Sequence, residues 1–116
     1  MDKKLVREWV KNLRSGKFRQ GKDALVRFYH KRYSFCCLGV ACYPSAKTMN
    51  GILETNISLV SGDNFTAKLK DPDLMKRLGV TPKRQEKLIE MNDDEGYSFN
   101  KIADWIEKHI LKTKHA

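Results

Sequence analysis

The chain reads as an α+β fold in which N- and C-terminal helices pack around a small antiparallel β-hairpin unit, a single compact domain over residues 1–116. Three observations predict this. The segments beginning at Lys3 and at Ser98 repeat apolar residues at the helical period. Runs rich in β-branched and aromatic residues, bounded by turn residues, lie between them. A length of 116 residues with 41% hydrophobic side chains suffices for one core.

Residues 3–14 form the cleanest helix: Leu5, Val6, Trp9, Val10 and Leu13 make one apolar stripe, with Lys4, Arg7, Lys11 and Arg14 off it and Gly16 as the stop. Basic residues in its last turn suit the negative end of the helix dipole. Residues 15–23, SGKFRQGKD, are too polar and glycine-rich to continue it. Ala24 to Tyr29 predicts a short strand, and His30-Lys31-Arg32 a basic turn. Tyr33–Phe35 predicts a strand-like start to the most apolar stretch, followed by a buried helix through Cys42 that Pro44 ends. Residues 45–51 form a loop, and Ile52–Val60 with Phe65–Lys70 flank the turn-rich Ser61–Asn64 as a β-hairpin. Asp71-Pro72 opens a short helical turn that Gly79 closes. Thr81-Pro82 supplies an N-cap and N1 proline for a helix to about Asn92, with Asp93–Tyr97 as a loop. Ser98 caps a last helix with Phe99, Ile102, Ile106 and Ile110 on one stripe and Trp105 beside it.

The charge is one-sided. Residues 1–50 hold twelve Lys/Arg and three acids while residues 51–116 hold eleven of each, so the formal +9 lies wholly in the first part. Such a field points to a polyanionic partner: a nucleotide, a nucleic acid or an acidic surface. No run of about 18 apolar residues occurs, so no membrane-spanning helix and no membrane partner is expected. The charged N-terminus has no apolar signal region. Three cysteines, Cys36, Cys37 and Cys42, are an odd number without disulfide-framework spacing and read as reduced cytosolic thiols.

The strongest binding candidate is the basic loop. Arg14, Lys17, Arg19 and Lys22 surround Ser15, Gln20 and two glycines five apart, Gly16 and Gly21, whose backbone N–H groups could approach an anion closely. Arg27 follows on the strand, so the expected ligand-binding residues are Arg14, Lys17, Arg19, Gln20, Lys22 and Arg27. The loop is no P-loop, because Asp23 follows Gly21-Lys22. An ordinary solvated connector is the alternative reading. Phe18 and Tyr29, beside cations, are the stacking candidates; Trp9 and Trp105 fall on or beside apolar stripes and read as core.

Other motifs point away from chemistry. Vicinal Cys36-Cys37 with a lone Cys42 does not make a zinc site, and apolar neighbours favour buried packing thiols. The acidic string Asn92–Gly96 lacks the spacing of a calcium loop, and could pair with the basic half. Gly96–Ala103 resembles the first helix of a helix-turn-helix, but no second helix follows it. No triad, paired carboxylates or metal ligands can be assembled, so no enzyme activity, cofactor or metal is expected.

Three blocks carry a resemblance: Trp9–Lys22 (WVKNLRSGKFRQGK), Phe35–Cys42 (FCCLGVAC), and Leu88–Asp93 followed by Gly96–Glu107 (LIEMND, GYSFNKIADWIE). In this order they resemble a group of short tailed-bacteriophage proteins of uncharacterised activity. The resemblance implies an accessory phage product, counter-defence included, acting in the host bacterial cytoplasm; it implies no catalytic residues. Within that context the first functional reading is capture of a small anionic, nucleotide-like ligand by the basic face. Sequence-nonspecific DNA or RNA binding, and blockade of an acidic host surface, are the alternatives. Homo-oligomerisation is left open by the sequence.

Overall fold

A computed structural model of the protein describes residues 1–29, 32–42, 68–69 and 71–112. In chain order these form α1 (Lys3–Arg14), β1 (Val26–Tyr29), β2 (Arg32–Phe35), α2 (Cys37–Cys42), α3 (Pro72–Leu78), α4 (Pro82–Ile89) and α5 (Phe99–Ile106). Helix α4 continues as a π-helical turn over Glu90–Asp94 and α5 as another over Glu107–Leu111. The α+β architecture is thus as the sequence reads, with N- and C-terminal helices around a two-stranded antiparallel sheet.

Local chemistry sets the helix limits. Asp2 accepts the Leu5 N–H at 3.2 Å to start α1, and that bond, helped by Arg77, holds its carboxyl below the usual value. Ser15 ends the helix and Gly16 turns the chain away with φ +75°. Asp71, Thr81 and Ser98 cap α3, α4 and α5 through their side chains, satisfying N–H groups that a helix start leaves without partners. Two boundaries differ from expectation. Residues 93–94 are helical, as the end of the π-helical turn that the Glu95 N–H closes by donating to the Glu90 carbonyl at 2.9 Å. Lys68 and Leu69 belong to no strand, since the Leu69 N–H goes to Gln85 Oε1 at 2.6 Å. The rest of the expected Ile52–Val60/Phe65–Lys70 hairpin lies outside the described residues. The hairpin that is seen joins Val26–Tyr29 to Arg32–Phe35, with Val26 opposite Phe35 and Arg27 opposite Ser34.

The core gathers the stripes that the sequence marks. Val6, Trp9, Val10 and Leu13 of α1 meet Ile102, Ala103, Ile106 and Ile110 of the last helix, with α2 buried along its whole length. Trp9 is fully buried and its indole N–H donates to the Cys37 carbonyl at 2.8 Å, joining α1 to α2. Among the described residues, no helix is long and apolar enough to cross a membrane.

Candidate functional site

The six residues expected to bind an anion separate into two groups. Arg14 faces the other half of the chain: its guanidinium lies 2.7 Å from Asp104 and 3.1 Å from Glu107 of the last helix. These exposed pairs contribute little stability, but they place the charge against two carboxylates. Gln20 is structural as well. Its Nε2 donates to Asn92 Oδ1 at 3.0 Å and to the Tyr97 carbonyl at 2.7 Å. Both residues that the sequence reads as ligand contacts thus also bond to the carboxyl-terminal part of the chain. The spacing that suggested a cradle also brings them against the carboxyl-terminal helices.

Lys17, Arg19, Lys22 and Arg27 are all exposed. The frame beneath them is tied by backbone and side-chain bonds. Phe35 of β2 donates its N–H to the Arg19 carbonyl at 2.8 Å and accepts the Gly21 N–H at 2.7 Å, so Arg19–Gly21 lies parallel to β2 as a third extended segment. This commits the Gly21 N–H to the frame, and it does not serve as an anion donor. Asn92, with 1% exposure, knots the assembly. Its Oδ1 accepts from Gln20 and from the Cys37 N–H at 3.2 Å; its Nδ2 donates to the Gly21 carbonyl at 2.8 Å and to Asp93 Oδ1 at 2.7 Å. Asp93 Oδ2 also accepts the N–H of Asp23, which sits at φ +65°. Together these bonds fix the basic loop to the end of α4.

Phe18, a stacking candidate on sequence, is a core residue with 8% exposure, meeting Phe35 edge-on at 5.3 Å between ring centres. Flanking cations hide this, because a single aromatic in a polar loop has no period to reveal it. The sequence marks Asn92 only as the end of a helix and the start of an acidic string that could pair with the basic half, with no signal for its four hydrogen bonds.

All three thiols are buried, as expected. Desolvation pushes the Cys36 and Cys42 thiols up to about 12, and Cys37 in the same direction. Two results follow. At pH 8 a thiol reagent should label none of the three in the native protein and all three in denaturant. Because the unfolded thiols ionise near 9 while the folded ones stay protonated to about 12, stability should fall as pH rises through that window. Full labelling of the native chain within minutes would contradict the burial.

Among the described residues, no group of three or more His, Cys, Asp and Glu is placed to hold a metal ion. An open groove of about 640 Å³ lies between the outer face of α4 and Trp105, and includes none of the six basic-loop residues.

Residues 1–56 match a family model described as a domain of unknown function (DUF8296). The match takes in α1, the basic loop, the hairpin and α2, and so the whole of the frame except Asn92 and its neighbours. No curated protein and no solved structure matches the chain.

Proposed function

We propose that the chain is a non-enzymatic accessory protein of tailed bacteriophages, acting in the host bacterial cytoplasm, whose basic amino-terminal face binds the phosphates of a nucleic acid. One observation carries the reading. Lys3, Lys4, Arg7 and Lys11 on α1, with Lys17, Arg19, Lys22 and Arg27 beyond it, are exposed and spread along 25 residues, and only Glu8 and Asp23 are exposed acids among them. A cationic surface distributed in this way suits the repeated charges of a polymer, each contact releasing a counterion. A single nucleotide needs its contacts to converge. Two residues that would complete such a convergence, Arg14 and Gln20, are engaged with the carboxyl-terminal helices. The phage context and any counter-defence role rest on the three sequence blocks alone.

Fluorescence anisotropy with labelled oligothymidylate across a salt series tests the reading. With about six phosphates contacted, the logarithm of affinity should fall against the logarithm of salt with a slope near −4. Tight binding of a mononucleotide with a slope shallower than about −1 would instead favour the small-ligand reading. Failure to bind either at low salt would remove the phosphate partner altogether.

A further inference from the structure

Helix α1 divides its surface between core and solvent. At about 100° per residue, Val6, Trp9, Val10 and Leu13 form one stripe, and all four are buried. Lys3, Lys4, Arg7 and Lys11 fall within one arc of about 100° outside that stripe, and all four are exposed. Lys3, Arg7 and Lys11 follow one another at intervals of about 6 Å along the axis, so this cationic ridge is about 12 Å long. Arg14 continues the arc, but there Asp104 and Glu107 take its charge. Among the described residues, none of the four cations of the ridge makes an ion pair, even with Glu8 beside them.

This arrangement works against the helix that carries it. Lys3 and Lys4 stand in the first turn, where the helix dipole disfavours cations, and that turn holds no acid. The nearest carboxylate, Asp2, is occupied: it caps the helix and lies 3.4 Å from the Arg77 guanidinium. Lys3 with Arg7, and Arg7 with Lys11, are like charges four residues apart, each pair a small cost to the helix. A polyanion laid along the ridge reverses every one of these penalties. We infer that this flank of α1 is the seat of a nucleic-acid duplex, whose phosphates lie against Lys3, Lys4, Arg7 and Lys11. Two observations favour a duplex over a single strand. Proteins that hold single strands supply aromatic rings for the bases, whereas the one aromatic of α1, Trp9, is fully buried with its N–H on the Cys37 carbonyl. The ridge is also straight and anchored by the core, and a duplex carries one phosphate per about 1.7 Å of axis, so 12 Å spans roughly seven of them. The inference rests on the phosphate-binding reading of the basic face; it names the form of the polymer and the element on which it lies.

The test measures fluorescence anisotropy of the full chain with a labelled mixed-sequence DNA duplex and with oligothymidylate of equal length, across one salt series. The parent should hold the duplex roughly tenfold more tightly at low salt. A variant carrying Lys4→Ala, Arg7→Ala and Lys11→Ala should lose more than about tenfold in duplex affinity, with a salt slope shallower by about 3, because each duplex phosphate contact accounts for roughly 0.9. A control carrying Lys83→Ala and Lys108→Ala, exposed cations of α4 and the last helix, should keep the parent's duplex slope. The triple variant should melt no lower than the parent, since like charges leave one face of α1. If the folded triple variant binds the duplex as the parent does, the inference is overturned and the phosphate-binding reading stands. Oligothymidylate held as tightly as the duplex by the parent would overturn the duplex assignment and likewise leave that reading in place. Binding of neither at low salt overturns both.

Discussion

Replacing Gly39 by alanine should disrupt the native packing. Gly39 lies in α2, every residue of which is buried, and the helix sits directly on the chain at Leu25. A Cβ at position 39 would fall 1.7 Å from the Leu25 carbonyl oxygen and 2.6 Å from its carbon. The obstacle is backbone, so no rotamer change can relieve it. That carbonyl also accepts the Cys36 N–H at 3.2 Å, so pushing it away breaks the junction between hairpin and helix. Overpacking of this kind should cost more than about 3 kcal/mol and lower the melting temperature by roughly 10 °C or more. Gly16→Ala is the contrasting case. Nothing lies within 4 Å of the added methyl, and only the φ of +75° opposes it, so about 1 kcal/mol is expected. Thermal unfolding followed by circular dichroism measures both; a Gly39→Ala protein melting within a few degrees of the parent would show that α2 does not rest on Leu25.

Asn92→Ala should be nearly as damaging, for an electrostatic reason. The side chain is 1% exposed and makes four hydrogen bonds. Its removal leaves the Cys37 N–H and the Gly21 carbonyl without partners, and buried polar groups so orphaned cost about 1–3 kcal/mol each. A loss on the order of 3 kcal/mol is expected, with the amides of Gly21 and Cys37 exchanging hydrogen much faster. Asn92→Asp separates shape from hydrogen bonding. It keeps the acceptor for Cys37 but loses the donor to Gly21 and puts a second carboxyl beside Asp93. Burial and that neighbour should raise its pKa above the unfolded value, so the variant should lose stability as pH rises above about 4. A stability equal to the parent at pH 7 would mean that Asn92 is not the knot described.

These two residues also show where sequence reasoning reaches and where it stops. Helix α1, the Thr81 and Ser98 caps, the buried thiols and the last helix's apolar stripe are legible because each is written in local spacing or in one residue's side-chain chemistry. The strands are legible as Ala24–Tyr29 and Tyr33–Phe35, but their pairing with each other is not, and the sequence places its hairpin further along the chain. The Gln20–Asn92 bond spans 72 residues and Arg14–Asp104 spans 90. Polar contacts over such separations leave no period, so nothing in the sequence shows that these two candidate ligand contacts also join the two halves of the fold. Gly39 reads only as part of an apolar run, because what approaches it comes from another segment. Arg19 and Arg27 remain candidate contacts, and both are exposed.

A hydrogen-bonded frame that carries the exposed cations Lys17, Arg19, Lys22 and Arg27 is the central feature of this molecule, and the proposed polyanion partner rests on it. Its most direct test compares the parent with a variant carrying Lys17→Ala, Arg19→Ala, Lys22→Ala and Arg27→Ala in oligothymidylate binding across a salt series. We expect an unchanged melting temperature and a salt slope shallower by about 3, because each of the four cations removed accounts for roughly 0.7. An unchanged slope and affinity in a folded variant would contradict the assignment.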